Sequence, residues 1–178
     1  MSVPGDTIKQ YFDIETTGLS KYRNSVTVVG VYNGDEVIQL VEGIDLTEDS
    51  LKDIIKKTKE IVTFNGKRFD IPFLSHKYQN IDFSNLEHHD LMYSCWKHGW
   101  KGGQKKIEVM LNLSRDSGIT SGIEAVRLWK RYQKGCDESL KKLLEYNKED
   151  IVNLYHIEKA LEEKEKDKLL SQQSLDPA

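Results

Sequence analysis

The strongest constraint on the fold is a run of β-rich segments at the start of the chain. Residues 8–14, 26–32 and 36–42 are dense in Val, Ile, Tyr and Phe, and the YNGDE between the last two carries the Asn-Gly signal of a tight hairpin. The chain therefore opens as a β-meander. From Thr47 onward, Leu51, Ile54, Ile55 and Thr58 keep helical spacing, and EIVTF at 60–64 reads as a short buried strand, a crossover back into the sheet. Pro72 suits the first turn of a helix carrying Phe73, Leu74 and Tyr78, and another short strand is expected near 86–90. The second half reads as helical. Ser121 with Glu124 has the form of a capping box and Asp137 that of a cap. Beyond it, Leu140, Leu143, Leu144, Ile151, Leu154, Tyr155 and Leu161 make an apolar stripe. Strands first, mixed units next and helices last predict an α/β fold, a mixed central β-sheet flanked by helices.

At 178 residues the chain can bury roughly 70% of its unfolded surface in one core, and no linker or repeat divides it. We expect a single domain over 1–165 and a flexible C-terminal tail over 166–178, with EEKEKDKLL from Glu162 a solvated helix end. No apolar stretch approaches the ~20 residues that span a bilayer, and MSVPGDTIKQ lacks the basic and apolar parts of a signal peptide. A cytoplasmic protein without membrane contact is expected. Cys95 and Cys136 are too few for a disulfide framework or a four-thiolate metal site. The net charge of −3 argues against coating nucleic acid by global electrostatics.

Local chemistry is more informative. In YFDIETTG, alternate side chains of a strand share a face, so Asp13 and Glu15 point one way and Ile14 the other. Two adjacent carboxylates repel unless a proton or a cation lies between them; taken alone, such a pair is more often a solvated strand edge. Further acids bear on that choice. TFNGKRFDIPFL places Asn65 and Asp70 at a strand-to-helix junction. In EYNKEDIVNL, Tyr146 and Asp150 lie four apart, on one face of a continuous helix or, if Asn147 caps a new helix, beside its first turn. Asp13, Glu15, Asp70 and Asp150 together offer oxygen ligands and no thiolate or imidazole. Such a set selects hard cations, Mg²⁺ or Mn²⁺, and suggests phosphoryl transfer.

FDIETTGL, NGKRFDIPFL and YNKED resemble, in order, the three exonuclease motifs of the DnaQ-like, DEDDy-type 3′-5′ exonucleases of the ribonuclease-H-like superfamily. HHDL, GGQKKIEVML, SGIEAVRLW and LLEYNKEDIVNL are similar to the YprB-like predicted exonuclease branch, and the resemblance spans about residues 9–160. It implies a ribonuclease-H-like fold and metal-dependent removal of nucleotides from nucleic-acid 3′ ends, with single-stranded DNA the expected substrate. By position, it implies that Asp13, Glu15, Asp70 and Asp150 bind two divalent ions and that Tyr146 positions or deprotonates the attacking water. Thr16 and Asn65 match positions that contact the terminal nucleotide. Two rivals stay open: the same site trimming RNA ends, and an inactive nucleic-acid-binding or scaffold module.

Other polar clusters have plainer readings. His88, His89 and Asp90 alternate between strand faces and cannot all converge on one ion, which favours loop anchoring. Segment 93–106 holds four lysines and no acid around Tyr93, Trp96 and Trp100, and 127–134 adds Arg127, Lys130, Arg131 and Lys134. These make either a basic, aromatic wall or a solvated face with packed tryptophans.

Overall fold

A computed structural model describes residues 8–119 and 121–173. The strands are β1 (Ile8–Thr16), β2 (Val26–Tyr32), β3 (Val37–Val41), β4 (Thr58–Thr63) and β5 (Glu87–Asp90). They form one sheet in the order β3-β2-β1-β4-β5, with β2 antiparallel to both β1 and β3, β4 parallel to β1 and β5 parallel to β4. The meander and the crossover are both present. The helices are α1 (Glu48–Ile55), α2 (Asp70–Lys77), α3 (Leu91–Lys97), α4 (Gln104–Met110), α5 (Gly122–Tyr132) and α6 (Asp137–Gln173).

Strand alternation sorts the core into two layers. Phe12, Ile14, Val29, Val31 and Ile61 pack on one face with Leu51 and Ile54 of α1 and Phe73 and Leu74 of α2. Tyr11 and Val62, from the neighbouring positions, face the other way toward Leu91, Leu154 and Ile157. On that same side Val28 meets Leu128 and Trp129 of α5 and Leu143 of α6. Asp13 and Glu15 share the parity of Tyr11, so β1 aims both acids at α6 while Ile14 anchors the opposite layer. A shift in the β1–β2 register between Glu15 and Thr16 ends regular pairing beside the acids.

Several boundaries differ from those expected. Thr58 begins β4 instead of ending α1, because its hydroxyl bonds both Gln10 Oε1 (2.6 Å) and the Ile54 carbonyl (2.9 Å). Tyr78 is the C-cap of α2, not part of it. Ser121 occupies the N-cap of α5 without a side-chain capping bond, since the Glu124 N–H bonds the Ser121 backbone carbonyl at 3.0 Å. The helix end read in EEKEKDKLL is present, and α6 runs on as far as Gln173, so the expected tail is helical over 166–173; residues 174–178 lie outside the described residues. Asn147 is therefore an interior residue of one long helix and caps nothing. Among the described residues, no helix is long and apolar enough to cross a membrane.

Candidate active site

Asp13, Glu15 and Asp150 converge: one carboxylate oxygen from each lies within 4.8 Å of the others. Asp150 and Tyr146 sit one turn apart on α6, both nearly inaccessible to solvent. Asp70 opens α2 and accepts the Ile14 N–H at 3.1 Å, so it is tied to the residue between Asp13 and Glu15. The four acids and the tyrosine predicted from the sequence are thus brought to one place by β1, α2 and α6.

Their charges oppose one another. Burial pushes Asp13 well above the usual carboxylate range, with repulsion from Asp150, Glu15 and Asp70 adding to it. Glu15 is raised by burial and then by Asp150. Burial lifts Asp70 to about 7, against hydrogen bonds from its own N–H and that of Ile14. Asp150 is raised by burial despite opposing attraction from Lys105 and Arg115. A cluster of buried carboxylate oxygens that resist ionisation is a fit for a hard divalent cation, which would lower all of these values together.

Two cations brace the cluster: Lys105, which the sequence placed only within a basic wall or a solvated face, and Arg115, which it did not single out. Lys105 Nζ donates to Tyr146 Oη at 2.6 Å and to Asp150 Oδ1 at 3.3 Å, lying 4.3 Å from the tyrosine ring centroid. It belongs to the site and not to a solvated face. Arg115 donates to Asp150 Oδ1 and forms a two-pronged pair with Glu108 at 2.6 and 2.7 Å. Glu108 is 1% exposed and held below its usual range because the hydrogen bonds and charge of Arg115 outweigh its burial. Gln104 Nε2 bonds both the Asp150 carbonyl and Glu108 at 2.9 Å, docking α4 on α6. Asn147 Nδ2 donates to Asp13 Oδ2 at 3.0 Å, and its Oδ1 accepts Gln39 Nε2 at 2.9 Å. Gly30, opposite Asp13 in the β1–β2 register, leaves the room this amide fills. The only signal in the sequence was the string GGQKKIEVML, which contains Gln104, Lys105 and Glu108 but does not say where they point.

A cleft of about 550 Å³ opens over the acids. Asp13, Glu15, Tyr146 and Asp150 line it, and Leu19, Phe69, Ile123 and Val126 supply apolar walls. Thr16 and Asn65 also line it. The Thr16 hydroxyl donates to the Gly18 carbonyl at 2.7 Å. Asn65 has φ of 64°, a left-handed conformation that Asn tolerates better than most residues, and its N–H bonds Asp90 Oδ1 at 2.7 Å.

The family model described as the RNase_H superfamily matches residues 10–162. The chain belongs to the RNase_H superfamily. No curated protein sequence matches it significantly. Among solved structures it is similar to the family B DNA polymerase of the hyperthermophilic archaeon Pyrobaculum calidifontis, at 17% identity and a TM-score of 0.67. That alignment covers 90% of this chain and 25% of the polymerase, so the chain spans a quarter of that protein's length. It is also similar to the apo form of a nuclease, at 19% identity and a TM-score of 0.59, covering 86% of this chain and 71% of the other. Brucella melitensis NrnC with bound Mg²⁺ aligns at 18% identity and a TM-score of 0.55, covering 94% and 78%. The family match together with the five-stranded mixed sheet and helices on both faces gives the RNase H-like fold, which these structural likenesses share.

In this RNase_H superfamily domain the histidines serve as anchors. His88 Nε2 pairs with Thr63 Oγ1 at 2.9 Å, while His89 reaches Glu158 (3.1 Å) and Ser94 (2.8 Å). Asp90 caps α3 and grips the Asn65 and Lys67 N–H groups. Glu60, His89 and Glu158 also offer ligand atoms within 4.8 Å, but Lys9 Nζ lies 2.9 Å from Glu158 and 3.4 Å from Glu60 and supplies the balancing charge. Burial works to raise Glu158, yet hydrogen bonds from His89, Tyr11 and Lys9 hold its carboxyl at about 2. The tryptophans divide: Trp100 packs on the core, whereas Trp96 is exposed.

Proposed function

We propose that this domain is a metal-dependent 3′-5′ exonuclease that hydrolyses phosphodiester bonds at the 3′ ends of single-stranded DNA. The observation that carries the reading is the buried, all-carboxylate cluster of Asp13, Glu15 and Asp150, with Tyr146 one turn away, lining a cleft. The Mg²⁺ bound in the structurally similar NrnC supports a divalent ion here. The net charge of −3 favours a single strand gripped at its end over a duplex held by a broad cationic face.

Asp13, Glu15, Asp70 and Asp150 would hold two such ions, which supply activation of a water and neutralisation of charge on the attacking and leaving oxygens. In the hydrolysis a water oxygen bonds to phosphorus, the P–O3′ bond breaks, and the departing 3′ oxygen takes up a proton. A nucleoside 5′-monophosphate leaves, and the strand ends in a new 3′ hydroxyl. Burial and the neighbouring acids raise the Tyr146 phenol far above its usual value, so it keeps its proton at neutral pH. Since Lys105 already donates to the phenol oxygen, the Tyr146 hydrogen is free to point into the cleft. A protonated Tyr146 would orient the water or a phosphate oxygen as a donor.

The test is a product ladder from purified protein, Mn²⁺ and 5′-labelled single-stranded DNA, duplex DNA and RNA. Stepwise shortening from the 3′ end, fastest on single-stranded DNA and abolished by chelator, is expected. Hydrolysis undiminished in excess chelator, or cleavage at internal positions alone, overturns the reading. A ladder that forms first on RNA replaces the substrate and keeps the chemistry.

A further inference from the structure

The outer face of α3 carries an arrangement that the acids do not use. Leu91, Met92 and Cys95 of this helix are buried, while Tyr93, Trp96 and Lys97 are exposed. Tyr93 is 40% and Trp96 43% exposed, and their rings meet edge to face with centroids 6.1 Å apart. A tryptophan serving the core would bury itself, as Trp100 does under Lys164.

Contacts join this face to the cleft at both ends. Asp90, the N-cap of α3, holds the N–H of Asn65, a cleft-lining residue. At the other end the Trp96 indole N–H lies 3.5 Å from the Gly102 carbonyl, and the Lys106 side chain covers Gly102 so closely that a Cβ there would meet its Cδ at 2.6 Å. The next residue back, Lys105, touches Tyr146 and Asp150. Residues 91–107 contain no Asp or Glu and carry Lys97, Lys101, Lys105 and Lys106, in a protein whose net charge is negative. Aromatic faces that accept any base, set among lysines that meet phosphates, are what a single strand requires.

We propose that Tyr93 and Trp96 form a stacking platform for the single-stranded segment behind the nucleotide whose 3′ end occupies the cleft. The proposal rests on the exonuclease reading for the direction of the strand. The platform stacks bases without reading their sequence, and exposed lysines such as Lys101 and Lys106 take the phosphates. A strand too short to leave the cleft does not reach it.

The experiment measures binding without turnover: anisotropy of labelled oligo-dT, a twelve-mer and a trinucleotide, with the full chain in EDTA. Trp96→Ala should weaken the twelve-mer about 10-fold and the trinucleotide less than about 2-fold, with Trp96→Phe close to wild type. Lys101→Ala with Lys106→Ala should flatten the salt dependence, which Trp96→Ala leaves unchanged. Unchanged twelve-mer binding by Trp96→Ala overturns the proposal, and so does equal weakening of both lengths, which would make Trp96 a prop of the cleft. Wild type that self-associates through this face, with Trp96→Ala monomeric on gel filtration, also overturns it in favour of a copy-to-copy contact. A wild type that binds the twelve-mer through Trp96 but hydrolyses nothing in Mn²⁺ sinks the exonuclease reading and leaves the platform standing.

Discussion

Replacing Asp70 by Asn should stabilise the metal-free protein. Asp70 is 4% exposed, and burial lifts its carboxyl from an ordinary 3.8 to about 7. Its folded value thus lies above its unfolded one. Below about pH 3.8 both states hold the proton; as pH rises toward 7 the unfolded chain ionises while the folded one resists, and stability drains away until the loss is complete above 7. At about 1.36 kcal/mol per pH unit, that interval corresponds to a loss on the order of 4 kcal/mol. Asparagine keeps an oxygen for the Ile14 N–H and carries no charge. Urea titrations in EDTA should show the variant more stable than wild type by up to about 4 kcal/mol near pH 8, with the advantage vanishing near pH 4. Saturating Mg²⁺ should narrow the gap, since the ion stabilises only a site with all its acids. A variant no more stable than wild type at pH 8, or an advantage that ignores pH, would refute the account of mutually opposed carboxylates.

Two further substitutions divide the remaining roles. Asp150→Asn removes a ligand charge and should leave little activity at ordinary Mg²⁺, partly recovered by high Mn²⁺; Tyr146→Phe should slow turnover ~10²- to 10⁴-fold with nearly unchanged metal dependence. Metal titrations of initial rates separate them, and wild-type turnover by Tyr146→Phe would make the tyrosine purely structural. Gly30→Ala places a Cβ 2.1 Å from Asn147 Oδ1, so we expect about 1–3 kcal/mol of destabilisation and a slower enzyme as Asn147 loses its hold on Asp13. Urea midpoints and rates measured side by side check this, and a variant equal to wild type in both would mean that Asn147 moves aside without cost.

What was legible in the sequence was what repeats with a short period or falls inside a compact motif. Alternation along β1 put Asp13 and Glu15 on one face, and four-residue spacing joined Tyr146 to Asp150, because strand and helix geometry are local. The lysine and arginine that brace Asp150 were illegible for the opposite reason. Lys105 looks like any surface lysine until α4 docks on α6, and Arg115 lies in a connection whose path depends on the buried Glu108 it satisfies. The end of α6 was the least sharply marked boundary because its last turns are charged all round; nothing apolar marks them, and the absence of Gly or Pro over 137–173 lets the helix continue. Ser121 and Glu124 show that a capping pattern permits a capping bond without compelling one.

That unbroken helix has a mechanical consequence. Asp150 and Gln173 are joined by about 35 Å of continuous α-helix at 1.5 Å per residue, with neither Gly nor Pro to act as a joint. Leu143, Ile151, Leu154 and Ile157 are clamped in the core, so the stretch bearing Tyr146, Asn147 and Asp150 behaves as the seated part of a rod whose free end, from Glu163 onward, stands in solvent. Asp150 cannot swing without turning the rod against its bearings. Adjustment of the cleft to an incoming strand must therefore come from the parts that are not so seated, the Thr17–Leu19 turn and the start of α5, while a torque applied to the distant end of α6 is carried along its axis toward the acids.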